Sequence, residues 1–124
     1  MAATQSFTND ALRIEVEEAG DEIAVRWFGK STMRKPADFL APILADVLKH
    51  GTESGRRIVL DFRTLQYMNS STITPVIRVL ERIRRGQGRL SVLYLQSLRW
   101  QHLSFSALKL FETPDGRIEI KATA

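Results

Sequence analysis

Residues 58–80 read IVLDFRTLQYMNSSTITPVIRVL and combine a predicted strand, a polar turn and a predicted helix. It begins with a short continuous apolar run that ends near Asp61, a pattern typical of a central strand covered on both faces. It ends with apolar residues at helical spacing. Between the two predicted elements lies the polar turn Asn69-Ser70-Ser71-Thr72. Any function of the chain is therefore sought first at this turn.

Hydroxyl side chains are concentrated where the predicted helix begins. The first backbone N–H groups of a helix have no partner within the helix, and Ser, Thr or Asn side chains accept hydrogen bonds from them. One of Ser70, Ser71 and Thr72 is therefore expected to cap the helix, and Pro75 agrees with a start at this point. A helix start also carries partial positive charge that stabilises a phosphate group. Spacing alone favours the cap over a phosphorylation site.

The same stretch resembles the signature of the STAS domain, which is found in bacterial anti-sigma factor antagonists and in anion-transporter tails. Asp61 matches the aspartate that ends the strand in that signature. Ser70 matches the serine that a partner kinase phosphorylates in the antagonists, and Ser71 matches the serine after it. The resemblance therefore implies that Ser70 is a modifiable hydroxyl.

Two positions depart from the antagonist signature, because Asn69 stands where Asp is usual and Thr72 where Gly is usual. A second STAS-like group, the biofilm-regulating phosphoproteins, carries the pattern Tyr-x-Asn-Thr-Ser-Ser. Tyr67 and Asn69 fit this second pattern better. Both groups point to Ser70 as the phosphorylated residue, and Ser71 and Thr72 are the alternates.

The resemblance implies both a fold and a function. The fold class is α/β: a STAS-like single domain over residues 1–124, with a mixed central sheet, an N-terminal antiparallel hairpin, and then strands alternating with helices packed on the sheet. The implied function is that of a non-enzymatic regulatory module that binds a protein and is switched by serine phosphorylation. The implied partners are a serine kinase of the anti-sigma type or a cyclase-like target, and a PP2C-like phosphatase. No cofactor and no metal are implied.

The residues assigned to the site by this resemblance fall into two groups. The expected partner-binding residues are Asn69, Ser70, Ser71, Thr72, Thr74 and Arg78. The two residues expected to support the site structurally are Asp61 and Tyr67. From its position alone, Asp61 is expected to accept a hydrogen bond from the backbone of the loop that follows it.

The rest of the chain predicts the element order β-β-α-β-α-β-α-β over about Leu12 to Lys121, with right-handed crossovers. Residues 1–10 are polar and are expected to form a poorly ordered arm. Alternating apolar residues predict a hairpin with its turn at 18–21, followed by a loop at 29–32. A first helix is expected to open at Pro36 and to end near His50, with Gly51 as its C-cap.

The third predicted helix follows Ser97, which is a candidate N-cap. Its apolar stripe is predicted to consist of Trp100, Leu103, Ala107, Leu110 and Phe111. Phe105 and Leu108 fall off that stripe, and such extra apolar residues mark either deeper burial or a binding surface.

Composition limits the classes of function. The chain has 124 residues, enough for one domain with a core, and it has no cysteine for disulfides or thiolate chemistry. No apolar run approaches a membrane span and the N-terminus lacks a signal-peptide core, so a cytoplasmic protein is expected. The net charge of +4 reflects arginines on and beside the second helix. Aromatic residues are not interleaved with them, so an acidic protein surface is a better partner than nucleic acid.

Catalysis is not expected. His50 and His102 form no metal-binding spacing with other residues, and no G-x-S-x-G elbow surrounds Ser70. Two other classes of function remain open. One is a STAS-fold scaffold or sensor that is not phosphorylated, in which Ser70 only caps the helix. The other is a small-ligand or nucleotide-binding domain that uses helix N-termini at the ends of parallel strands.

Overall fold

The structure is a computed structural model, and it describes residues 3–124. Its strands are β1 (Ala3–Asn9), β2 (Leu12–Ala19), β3 (Glu22–Ser31), β4 (Arg57–Asp61), β5 (Leu65–Met68), β6 (Arg89–Leu95) and β7 (Ile118–Thr123). Its α-helices are α1 (Pro36–Ser54), α2 (Ile73–Arg85) and α3 (Arg99–Ser106). Two short 3₁₀-helices precede α2 and follow α3, at Ser70–Thr72 and Ala107–Phe111.

The strands form one mixed sheet in the order β1-β2-β3-β4-β6-β7, and β5 pairs with the end of β3. β1, β2 and β3 are antiparallel neighbours, whereas β3, β4, β6 and β7 are parallel. Each connection between parallel strands contains a helix and leads to the neighbouring strand in the sheet, always on the side away from β1. Right-handed crossovers therefore bring α1, α2 and α3 to the same face of the sheet. The predicted fold class is confirmed.

The apolar core lies between that face and the helices. In β2 the buried residues Leu12, Ile14 and Val16 alternate with more exposed charged ones, which is the pattern of a strand covered on one side. The opposite face, called here the open sheet face, has no helix over it in residues 3–124. It carries Glu15, Glu17, Arg26, Phe28, Val59, Asp61, Ser91, Leu93, Glu119 and Lys121.

The predicted N-terminal arm is a strand in the described part of the chain. Residues Ala3–Asn9 pair along β2 without a break, so the prediction of poor order over residues 1–10 is wrong for them. Met1 and Ala2 lie outside the described residues. The sequence pattern missed β1 because an edge strand needs few apolar residues. Within residues 4–9 only Phe7 packs against the core.

β3 extends further than predicted. The sequence predicts a loop at 29–32 and a plain connection at 63–68, but β5 pairs with residues 29–31. Gly29 has φ 85°, and a Cβ there would collide with the carbonyl oxygen of Ala11. The same oxygen accepts a hydrogen bond from the backbone N–H of Lys30 at 3.0 Å. Glycine thus allows the β1–β2 turn to contact the irregular point in β3.

α1 begins at Pro36 as predicted but ends at Ser54, so the predicted end at His50 and Gly51 is wrong. Gly55 is the C-cap, in the left-handed conformation with φ 70°. Gly51 is buried inside the helix, where a Cβ would lie 2.6 Å from Cγ1 of Ile58. This glycine serves close packing of α1 against β4.

The third helix packs with a different face from the predicted one. Leu103 and Leu110 are 63% and 71% exposed, whereas Phe105 and Leu108 are buried. The chain changes to a 3₁₀-helix after Ser106, and a 3₁₀-helix places every third residue on one side. The buried residues Phe105, Leu108 and Phe111 follow that spacing. The helix starts at Arg99 with Leu98 at the N-cap and no side-chain cap, so Ser97 does not cap it.

No helix within residues 3–124 has the length and the apolar character needed to cross a membrane.

Candidate functional site

The hydroxyl turn, defined here as Asn69–Thr72, joins β5 to α2. Its residues Ser70–Thr72 form one 3₁₀ turn that runs directly into α2 at Ile73. The pairing of β5 with β3 brings the turn to the end of β3. There the backbone N–H of Asn69 donates to the carbonyl oxygen of Ser31 at 3.0 Å. The turn is therefore anchored to the sheet before the helix begins.

A buried relay of hydrogen bonds holds the inner side of the turn. Oγ1 of Thr72 lies 2.7 Å from Oγ of Ser31, and it donates to Oδ1 of Asn69 at 2.8 Å. The amide Nδ2 of Asn69 donates to the carbonyl oxygen of Met33 at 2.8 Å. A hydroxyl has one proton to donate, so with Thr72 donating to Asn69 the Ser31 hydroxyl is the donor to Thr72. The Ser31 hydroxyl, the Thr72 hydroxyl, the Asn69 side-chain amide and the Met33 carbonyl therefore form one chain of hydrogen bonds, in which each group donates to the next.

The outer side of the turn consists of the predicted contact residues. Ser70, Ser71, Thr74 and Arg78 are exposed, and Asn69 is half-buried. Within residues 3–124 the hydroxyl groups of Ser70 and Ser71 make no hydrogen bond of their own. The structure thus brings these side chains onto one surface next to the start of α2.

Thr72 does not belong to that surface. Its relative exposure is 0%, and both sides of its hydroxyl are bonded. The prediction of Thr72 as an alternate phosphorylation site and a partner contact is therefore wrong for the folded chain. Ser31, its bonding partner, is also buried and was not a predicted site residue. It lies 41 positions away in sequence, so no local pattern could indicate it.

The predicted hydroxyl cap of α2 is absent. Neither Asn69 before the 3₁₀ turn nor Thr72 before α2 makes a side-chain cap hydrogen bond. The 3₁₀ turn supplies backbone acceptors instead, since Thr72 N–H donates to the Asn69 carbonyl and Ile73 N–H to that of Ser70. The side chains of Asn69 and Thr72 are left to bond each other.

Asp61 ends β4 on the open sheet face and is almost completely buried. Its carboxylate accepts a hydrogen bond from the backbone N–H of Arg63 at 3.1 Å, which confirms the predicted bond to the following loop. The Arg63 guanidinium adds two more, at 2.9 and 2.8 Å. Burial raises the pKa of the Asp61 carboxyl, but these hydrogen bonds and the charges of Arg63 and Arg26 outweigh it and lower the pKa below its ordinary value.

Asp61→Asn is expected to lower the free energy of unfolding by about 1 kcal/mol at neutral pH, because Arg63 is partly exposed and its ion pair is screened. The folded pKa of Asp61 is depressed, so its charge stabilises the fold above the unfolded pKa of about 3.9. The difference between wild type and variant should close as pH falls through the folded pKa. Urea unfolding between neutral and acid pH measures it. Exposed Glu53→Gln is the control, and a difference that grows in acid would contradict the assignment.

Tyr67 supports the turn only through its backbone. It lies on β5 opposite Lys30 of β3, and its side chain is 47% exposed. Its ring is therefore part of the surface beside the hydroxyl turn. In the described residues no hydrogen bond joins Asp61 to this turn, so Asp61 fixes the start of the connection rather than the turn itself.

Basic side chains lie on the loop and the helix that adjoin the outer side of the turn. Arg34 and Lys35 are exposed on the loop whose Met33 carbonyl bonds Asn69. Arg78 and Arg82 are exposed on α2 and border a groove of about 230 Å³ between α1 and α2. The other wall of this groove is apolar, formed mainly by alanines of α1. This combination suits an acidic partner with an apolar edge.

The described residues contain no group of three or more His, Cys, Asp or Glu side chains able to hold a metal ion. His50 lies 3.7 Å from a carboxylate oxygen of Glu18, near the end of α1. Within residues 3–124 no hydrogen bond links either histidine to Ser70, so the arrangement of a serine beside a general base is not formed there.

Comparisons with known proteins found matches only among solved structures. No protein-family model and no curated protein sequence matches the chain. The structure is similar to SiaC of Pseudomonas aeruginosa, with a TM-score of 0.63 and 15% identity over 98% of this chain and 99% of that one. It is also similar to an anti-sigma factor antagonist from Mycobacterium paratuberculosis (TM-score 0.49, 13% identity, covering 89% and 81%). The unphosphorylated form of the anti-sigma factor antagonist SpoIIAA gives a TM-score of 0.49 with 19% identity, covering 98% and 90%.

The likeness to SiaC concerns the fold alone, because only 15% of the residues are identical. The match to SiaC spans essentially the whole of both chains. The chain has a STAS-like fold, as its sequence signature predicts.

Proposed function

We propose that this chain is a non-enzymatic regulatory module that binds a protein partner through the outer surface of the hydroxyl turn. Phosphorylation of Ser70 switches that binding. One observation carries the proposal: the fold turns Thr72 inward and leaves Ser70 and Ser71 exposed beside it. A buried relay holds the turn, so the exposed hydroxyls are not needed for its structure. Ser70 is preferred over Ser71 because it matches the phosphorylated serine of the STAS signature.

The charge of the surface determines which form of the chain, unmodified or phosphorylated, binds the partner. The unmodified turn lies among Arg34, Lys35 and Arg78 on a chain of net charge +4, which favours an acidic partner. A phosphate on Ser70 adds about −1.5 to −2 charges at neutral pH. Placed in a contact with acidic groups, it repels them, and like charges held together in a contact cost several kcal/mol. The unmodified form is therefore the binding form.

The phosphate itself is compatible with the fold. Ser70 opens a helical segment, and the partial positive charge of a helix start favours a nearby anion. Adding phosphate thus changes the surface without unfolding the domain. The STAS resemblance implies that a serine kinase adds the phosphate and a PP2C-like phosphatase removes it. The kinase of the anti-sigma type, or a cyclase-like protein, is the implied target.

The alternative of an unphosphorylated scaffold has less support at this turn. That alternative gives Ser70 the role of a helix cap, yet α2 begins without a side-chain cap hydrogen bond. A partner-binding surface without phosphorylation would still use Ser71, Thr74 and Arg78. The two possibilities therefore differ only in the effect of charge at Ser70.

Ser70→Asp is expected to weaken partner binding about 100-fold, or about 2.7 kcal/mol, whereas Ser70→Ala is expected to stay within about threefold of wild type. The partner is first captured from the native cell with the full chain as bait and identified by mass spectrometry. Calorimetric titration of the purified partner then gives the dissociation constants.

The matched control is Thr52→Asp, which adds the same charge on an exposed position near the far end of α1, about 24 Å along the helix from Pro36. It should bind as wild type does. Equal binding by Ser70→Asp, Ser70→Ala and wild type would contradict the proposed switch. Equal loss in Ser70→Asp and Thr52→Asp would show a general charge effect instead of a site at Ser70.

A further inference from the structure

The two edges of the sheet differ in how they are covered. At β7 two of the outward N–H groups are bonded by side chains of the preceding segment: Ile118 N–H donates to Oγ1 of Thr113 at 3.1 Å, and Ile120 N–H to Oε2 of Glu112 at 3.0 Å. β7 also carries Glu119 and Lys121. Bonded amides and charged side chains are the usual means of preventing edge-to-edge pairing. β7 is therefore a closed edge.

The other edge, β1, has none of these devices in the part of the chain that the structure describes. Its residues 4–9 read TQSFTN, without a charge or a proline. Its register with β2 is unbroken from Ala3 to Asn9, so no bulge turns the strand away. No side chain of residues 4–124 is hydrogen-bonded to its backbone. β1 is thus a regular strand with an open hydrogen-bonding edge.

An apolar groove of about 420 Å³ runs beside this edge, between β1 and α1. Phe7 of β1 and Phe39 of α1 line it and are only partly buried. Val16, Pro42, Ile43 and Val47 complete its apolar wall, and Gln5 and Asp46 are its polar lining residues. A strand added to β1 would place alternate side chains over this groove and cover it.

We propose that β1 pairs antiparallel with β1 of a second copy of this chain, around a two-fold axis near Ser6, to form one continuous sheet. A two-fold axis brings each strand to an identical one, so the edge must be complementary to itself. With Ser6 opposite Ser6, Thr4 lies opposite Thr8 and Gln5 opposite Phe7. These pairs contain no like charges, and facing Ser and Thr side chains can hydrogen-bond. On the helix face, Phe7 and Gln5 of each copy extend over the groove of the other.

The charge distribution favours a second copy over a foreign strand. The net charge of +4 would oppose self-association if it lay at the contact. The arginines of α2 lie instead on a helix that packs against β6 and β7, at the far side of the sheet from β1. Residues 4–9 of β1 carry no charge that a strand of another protein could recognise. An identical strand, in contrast, pairs Thr4 with Thr8 and Ser6 with Ser6.

Sedimentation equilibrium of the full chain tests this pairing. Wild type should show the mass of two chains, and Ser6→Lys alone and Ser6→Glu alone should each show the mass of one. An equimolar mixture of Ser6→Lys and Ser6→Glu should regain the mass of two chains, which also proves that both variants are folded. The control Ala122→Lys places the same charge on an exposed position of the closed edge, β7, and should remain dimeric.

Hydrogen exchange locates the contact independently. The amides of residues 4–9 should exchange more slowly as protein concentration rises, while those of β7 should not change. A wild-type chain that stays monomeric at its highest soluble concentration would overturn the proposal. So would a dimer that survives Ser6→Lys, or a Lys and Glu mixture that remains monomeric.

Discussion

Gln101→Leu is expected to lower the free energy of unfolding by about 3 to 5 kcal/mol, the largest loss we expect from a single substitution. Gln101 lies on α3 with 0% exposure. Its Nε2 donates to the carbonyl oxygens of Phe62 and Leu65 at 2.7 and 2.9 Å, and its Oε1 accepts from Leu95 N–H at 2.8 Å. Leucine has a similar size but removes the side-chain hydrogen bond from all three backbone groups. The Phe62 carbonyl keeps the Leu65 N–H as a donor at 3.0 Å. The Leu65 carbonyl and the Leu95 N–H lose their bond to this side chain, at a cost of about 1 to 3 kcal/mol each.

Urea unfolding followed by circular dichroism measures this loss. The matched control is Gln96→Leu, the same substitution at an exposed position at the end of β6, which should change stability by less than about 0.5 kcal/mol. A loss below about 1 kcal/mol in Gln101→Leu would contradict the assigned hydrogen bonds. The residue matters for the site because Phe62 and Leu65 flank the connection that leads into β5 and the hydroxyl turn.

Thr72→Val is expected to lower the free energy of unfolding by about 2 to 4 kcal/mol. Valine has nearly the shape of threonine, so packing is preserved while the central hydroxyl of the relay is lost. Oγ of Ser31 and Oδ1 of Asn69 then lie buried or half-buried without their partner. Thr72→Ser keeps the hydroxyl and loses only a buried methyl group, so it should cost about 1 kcal/mol.

A double-mutant cycle with Ser31→Ala isolates the contact between the two hydroxyls. We expect a coupling free energy of at least about 1 kcal/mol, because each hydroxyl is satisfied through the other. Strictly additive losses would mean that the two groups do not interact. Partner binding provides a second measurement. Thr72→Val should weaken it although Ser70 is unchanged, since the relay fixes the turn that carries Ser70.

The elements that could be predicted are those with strong local periodicity. The apolar run before Asp61 and the helical repeat after Thr72 predicted β4 and α2, and Pro36 predicted the start of α1. In each case the burial pattern of a few neighbouring residues is enough to specify the element. Patterns of this kind along the chain also gave the order β-β-α-β-α-β-α-β, to which the structure adds β1 and β5.

The features that the sequence did not predict are determined by contacts with residues distant in sequence. β1 is a strand because β2 lies beside it, although its own residues are polar. Glycine is common at helix C-termini, so Gly51 was predicted to end α1. It lies inside the helix instead, where the close approach of Ile58 leaves no room for a side chain. In α3 the anchor is a polar residue, Gln101, and the change to a 3₁₀-helix alters the spacing of the buried face. No local pattern contains these contacts.

The candidate site was predictable in position and not in its internal arrangement. The cluster of hydroxyl residues marked the turn, and its helical setting followed from the repeat after it. Which hydroxyls point outward depends on Ser31, 41 positions before Thr72. From the sequence alone, Ser70, Ser71 and Thr72 were therefore all candidate phosphorylation sites. The buried relay excludes Thr72 as a candidate.

The proposed switch requires a phosphate on Ser70, so intact-mass measurement with phosphosite mapping on protein isolated from its native cell is the first experiment to make. A fraction of the chain should carry one phosphate, and fragmentation should assign it to Ser70. Ser70→Ala should abolish that fraction. A chain that stays unmodified on the hydroxyl turn, even when candidate serine kinases are supplied, would rule the switch out.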